Sequence, residues 1–137
     1  MDAIVSALSS GLPLLVLHLG VAIVLLFLAI GAHQLLTPFK ELELARQGNL
    51  AAATVLAGTS IALALPVAAS LATSAVLIDI VIWSTVGLVL QLALYAGATR
   101  VLGDFRGRIE RGEVAAALVL VGWQWALALL NAAALSL

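Results

Sequence analysis

Four long apolar runs separated by short polar breaks dominate this chain. They extend from about Pro13 to Leu36, Leu50 to Ala72, Ile80 to Leu102 and Val114 to Leu137. A helix needs about 20 residues to cross a hydrocarbon core of roughly 30 Å, so each run is long enough. None alternates apolar and polar residues with a period of two, and barrel strands are therefore not expected. Backbone in lipid must satisfy its own hydrogen bonds, which leaves helices. The pattern predicts an all-α membrane protein with four transmembrane helices in a single domain over residues 1–137.

Composition strengthens that reading. The chain is 64% hydrophobic and 9% charged, with a mean hydropathy of +1.24. A soluble domain carries roughly 25% charged residues. Lipid is therefore the expected solvent for most side chains, and four spans leave no length for a soluble domain. Without Cys there are no disulfides and no thiolate metal sites. A net charge of −1 argues against nucleic acid as a partner. Met1-Asp2-Ala3-Ile4 carries no cationic side chain, so a cleaved signal peptide is not expected.

The basic residues set the orientation. Lys40 and Arg46 lie between the first two runs, while Arg100 at the end of the third run and Arg106, Arg108 and Arg111 just after it form a second basic segment. The N-terminal segment and the link around Thr73 to Asp79 have no Lys or Arg. With four spans both basic segments fall on one side, which the positive-inside rule assigns to the cytoplasm. Both termini are then expected outside. In the first basic segment Thr37 can cap a helix with Pro38 at its first position. Gly48 suits a left-handed stop, and Asn49 can cap the second span. Phe39, Leu42 and the stem of Arg46 recur at helical spacing, which fits either a short interfacial helix or a capped turn.

Shifting the chain by 64 positions aligns its halves without a gap, and 14 of the 24 positions from Gly48 to Leu71 are identical. The glycine pairs Gly48/Gly112 and Gly58/Gly122 carry more weight than the matched Ala and Leu. The reading is two tandem two-helix hairpins, about 13–72 and 80–137, that enter the membrane in the same direction. A pseudo-twofold axis along the membrane normal follows as an expectation. Thr54, Gly58, Ala62, Pro66 and Ser70 recur every four residues on the second span, and Gly122 and Ala126 repeat part of that stripe on the fourth. Small residues at this spacing let helices approach closely, so helix packing is their expected use.

Thr37-Pro38-Phe39, Gly48-Asn49 followed by Ala51-Ala52-Ala53, Pro66, Trp83, Gln91 and Asn131-Ala132 together resemble the YjfL-like family of small bacterial inner-membrane proteins, a domain-of-unknown-function family. The resemblance implies four helices from two hairpin repeats in the bacterial inner membrane. It supplies no catalytic residues, and through associated genes it points to membrane stress or polyamine-linked roles. Glu113 departs from it, since the pattern leads one to expect Asn there, matching Asn49.

Ionisable groups inside lipid are costly and usually functional. The spans hold no interior carboxylate: Asp79 is expected to cap the third span, while Glu41, Glu43, Glu110 and Glu113 fall in the basic segments. That disfavours proton-coupled antiport. His18 and His33 lie about 22 Å apart on one helix and cannot share a metal or haem, so they read as interfacial residues and no cofactor is expected. Ser84, Gly87, Gln91 and Tyr95 share one face of the third span, which should turn inward. Gln91, Tyr95, Gln124 and Asn131 are the candidate polar residues, either binding helices together or lining a pathway. Trp123 and Trp125 point to nearly opposite sides of the fourth span, so at least one is expected to meet another subunit or partner.

No nucleophile triad, metal cluster or phosphate loop is present, so an enzyme is not expected. The first function reading is a non-catalytic membrane protein that self-associates, or joins a second membrane protein, as a structural, accessory or stress-related component. The alternative is an oligomeric channel or small-solute pathway lined by neutral polar side chains.

Overall fold

A computed structural model describes residues 1–37 and 40–137. The expected roles of Pro38 and Phe39 lie outside the described residues. Among the described residues six helices follow in order: α1 (Asp2–Leu36), α2 (Glu41–Arg46), α3 (Leu50–Thr73), α4 (Leu77–Leu102), α5 (Phe105–Glu110) and α6 (Val114–Leu135). Among the described residues all regular structure is helical, and α1, α3, α4 and α6 are long and apolar enough to cross a membrane. α1 begins well before Pro13 and carries that proline inside it, and α4 begins three residues before Ile80.

The helix ends follow from local chemistry. Gly48 and Gly112 adopt φ of +89° and +78°, the left-handed conformation that stops α2 and α5 and that side chains with a Cβ resist. Asn49 caps α3, its Oδ1 accepting from the Ala52 N–H at 3.0 Å. Thr37 does not start a helix. It ends α1, with its N–H donating to the His33 carbonyl, because the chain must turn before α2 can fold back beneath the bundle. Asp79 does not cap α4 either: Val76 holds that position, and Asp79 sits in the first turn, accepting from Ser74 Oγ at 3.5 Å. A carboxylate there still suits the positive end of the helix dipole. On α2 the exposed Leu42 points away from the bundle, whereas Glu41 is buried and Leu44 packs inward.

α3 is the central helix. Gly58, Ala62, Pro66 and Ser70 all lie on its buried face. A Cβ on Gly58 would collide with the Val121 side chain, and one on Gly87 would come within 2.6 Å of Pro66 Cβ, so these glycines set how closely α6 and α4 approach α3. Gly122 and Ala126 do not take part in that packing. Both are exposed, and a Cβ on Gly122 would meet nothing within 4 Å. The physical reason is rotation: α6 turns Ala117, Leu120, Gln124 and Ala128 inward, which leaves Gly122 on the outer side of the helix.

α1 packs on α3 and α4, and α6 packs on the same two helices. A twofold axis would require α1 to pack on α6 as α4 packs on α3, and among the described residues no comparable contact is found. The expected pseudo-twofold is therefore not the arrangement. The hairpin α1–α3 lies beside the hairpin α4–α6, and the connections α2 and α5 meet at one end of the bundle, where Asn49 Nδ2 donates to the Ile109 carbonyl at 2.8 Å.

Candidate functional site

The last turns of α1 and the start of α2 build the most unusual site. His33 and Glu41 are both 0% exposed, and the histidine Nε2 lies 3.1 Å from each carboxylate oxygen. The N–H on Nε2 donates to that fork. Gln34 Nε2 adds a third donor to Glu41 Oε2 at 3.3 Å. Tyr95, from α4, sets its ring edge-on to His33 with centroids 4.3 Å apart. Thr37 Oγ1 donates to the His33 carbonyl at 2.7 Å, which leaves the Thr37 hydroxyl oxygen to accept from the Tyr95 hydroxyl at 3.5 Å.

A buried carboxylate without donors is strongly disfavoured, and here histidine and amide supply them. His33 Nδ1 is buried without a partner, so the ring has one fixed hydrogen-bonding edge and one free edge. Such an arrangement can hold or pass a proton, or accept one hydrogen bond from a small donor. Among the described residues no group of three or more His, Cys, Asp or Glu is placed to hold a metal.

His33 is expected at an interface and Glu41 in the first basic segment; the pattern does not anticipate that both are buried and bonded to each other. The short α2 folds back and carries Glu41 under the end of α1. One signal was available, because the 64-residue shift sets Glu41 on Phe105, an apolar residue. Phe105 is also buried at the start of its short helix.

The expected polar face of α4 turns inward, with Ser84, Gly87, Gln91 and Tyr95 all buried. Gln91 Nε2 donates to the Gln124 carbonyl at 3.0 Å, and Gln124 Oε1 accepts from Thr59 Oγ1 at 2.9 Å. Asn131 Nδ2 donates to the Gly87 carbonyl at 2.9 Å. These bonds tie α3, α4 and α6 together. Ser84 Oγ, Gln91 Oε1 and Gln124 Nε2 stay unpartnered and buried. Trp125 does not need another subunit for its indole, which donates to the Gly58 carbonyl at 2.9 Å within the chain. Trp123 is 42% exposed and lines a groove between α4 and α6.

The charged connections gather at the α2–α5 end. Lys40 approaches Glu43, Arg106 bonds Glu110, and Arg111 reaches Asp104. Arg46 and Arg100 are exposed. Arg108 grips Glu113 through Nε at 2.9 Å and Nη2 at 2.7 Å. That hydrogen-bonded pairing holds the Glu113 carboxyl below its ordinary value and raises the Arg108 guanidinium. Glu113 occupies the cap position of α6 without a cap hydrogen bond, unlike Asn49, because its carboxylate is taken by Arg108.

Comparison with known proteins fits this architecture. No solved structure matches the chain. The inner membrane protein YjfL (UPF0719) of Escherichia coli K12 is 28% identical over 102 residues, covering 74% of this chain and 76% of the relative. The YjfL protein of Escherichia coli O157:H7 matches to the same extent. The family model described as Domain of Unknown Function (DUF350) matches residues 7–135. A match across nearly every helix leaves one conclusion: the chain belongs to the DUF350 family.

Proposed function

We propose that this chain is a non-catalytic, multi-pass protein of the bacterial inner membrane that self-associates as a structural, accessory or stress-related component. Its YjfL relatives are named as inner membrane proteins, which supports the location. The chain lies with both termini outside and its basic connections in the cytoplasm, as the six-to-zero distribution of Lys and Arg argues. Its hairpins are tandem repeats in the same orientation. α2 and α5 begin 64 residues apart, as do α3 and α6, in register with the sequence match.

One observation carries the non-catalytic reading: the amides of Gln91, Gln124 and Asn131 each bond to another helix of the same chain. Interhelical bonds of this kind contribute roughly 0.6 to 2 kcal/mol each, which suits them to binding helices together. Purified protein in lipid nanodiscs should give a defined multimer by native mass spectrometry, and planar bilayers containing it should be silent. A strictly monomeric mass counts against self-association.

A second reading, a small-solute or ion pathway, is favoured by the unpartnered Ser84 Oγ, Gln91 Oε1, Gln124 Nε2 and His33 Nδ1. Buried polar atoms without partners call for a water or a solute. Conductance that disappears with Gln91→Leu would establish this reading over the first.

A further inference from the structure

The groove between α4 and α6 repeats, one hairpin further along, a surface that the chain already uses internally. In the first hairpin Ala29, Ile30, His33, Thr37, Thr59 and Leu63 face the second hairpin. Ala29, Ile30 and Leu63 cluster with Leu88, His33 and Thr37 meet Tyr95, and Thr59 bonds Gln124. Adding 64 to each gives Ala93, Leu94, Gly97, Val101, Trp123 and Leu127. All six line an open groove of about 440 Å³.

The complementary face is open too. Leu88, Leu92 and Tyr95 on α4 meet the first hairpin. Their counterparts 64 residues earlier are Val24, Leu28 and Gly31, all exposed on α1, with Leu28 at 66%. Because the hairpins lie side by side and not about a twofold axis, neither face is covered within one chain.

We infer that the groove between α4 and α6 receives the outer face of α1 and α3 from a second copy of this chain, continuing the internal hairpin-on-hairpin packing head to tail. This rests on the tandem-hairpin, self-associating reading given above. The step from one hairpin to the next keeps the helices pointing the same way, so every copy is inserted alike. Such a contact is heterologous and propagates to a ring or a row. It also gives two exposed features a use. Gly122, open on all sides, becomes the notch for Ala57 of the neighbour, as Gly58 is for Val121. Trp123 stands where Thr59 does in the first hairpin, opposite the neighbour's Ser60, whose Oγ can accept the indole N–H.

The chain lacks cysteine, so crosslinking tests this directly. A Cβ on Gly58 lies 3.0 Å from Val121 Cβ, close to the roughly 3.5–4.5 Å of a disulfide. The matching pair across copies is Ala57→Cys and Gly122→Cys. Neither substitution meets an obstacle, since Ala57 is exposed and Gly122 has open space. Oxidation of membranes holding the double variant should give a ladder beyond the dimer. The single variants should stay uncrosslinked alone and form dimers when co-expressed with different tags. Single variants that crosslink to themselves would replace this surface with a twofold one and leave self-association standing. No crosslink with a multimer intact in native mass spectrometry would overturn the surface alone. A monomer would overturn the self-association beneath it as well.

Discussion

His33 and Glu41 concentrate the energetic risk of the molecule in one pair. Removing one partner of a buried ion or hydrogen-bonded pair costs about 3–5 kcal/mol, because the other is left uncompensated, while replacing both with apolar residues of similar volume is often neutral. His33→Ala should therefore lower thermal stability in detergent sharply, and His33→Phe with Glu41→Leu should recover most of it. If the double variant keeps its fold yet loses activity in cells, the pair serves function and not packing. A second residue contrast concerns glycine. Gly58→Ala pushes a methyl into Val121 and should destabilise by about 1–3 kcal/mol, as overpacking does. Gly122→Ala should leave the stability of the single chain unchanged or slightly raised, since nothing lies within 4 Å of a Cβ there. Comparative melting of the two variants checks this.

At the level of elements, the short helices and caps do more than connect spans. The Arg108–Glu113 pairing joins α5 to the start of α6. A carboxyl held below its ordinary value adds stability above the unfolded-state range, and that addition is lost as pH falls through the lowered value. Glu113→Gln should thus melt earlier than the parent at neutral pH, with the difference shrinking as the pH drops below about 4. Melting in detergent across pH 3–8 (roughly the carboxylate range and above) would reveal a constant gap if the pairing were irrelevant. The spans, the glycine stops and the Asn49 cap were legible in the sequence because each depends on residues within a few positions of one another. The inward face of α4 was legible for the same reason. The His33–Glu41 pair was not, since it depends on a chain reversal between α1 and α2. Nor was the outward turn of Gly122, since helix rotation is decided by all the contacts of α6 together. The register of Glu41 with buried Phe105 was the sequence signal that carried non-local information.

For the whole molecule, asymmetry between the hairpins is the organising feature. The histidine–glutamate site belongs to the first hairpin alone, since Gly97 and Phe105 replace its two members in the second. Polar residues at the hairpin interface are replaced at the open groove by Gly97, Val101 and Trp123, which lipid tolerates until a neighbour arrives. The proposed topology is a four-span bundle with the α2–α5 end, and so the buried pair, on the cytoplasmic side. It is tested most directly by labelling intact cells with a membrane-impermeant maleimide after placing single cysteines at Gln47 and Ala75, both exposed. With this topology Ala75→Cys labels from outside and Gln47→Cys labels only after the membrane is opened. Labelling of Gln47→Cys in intact cells, with Ala75→Cys protected, would contradict it.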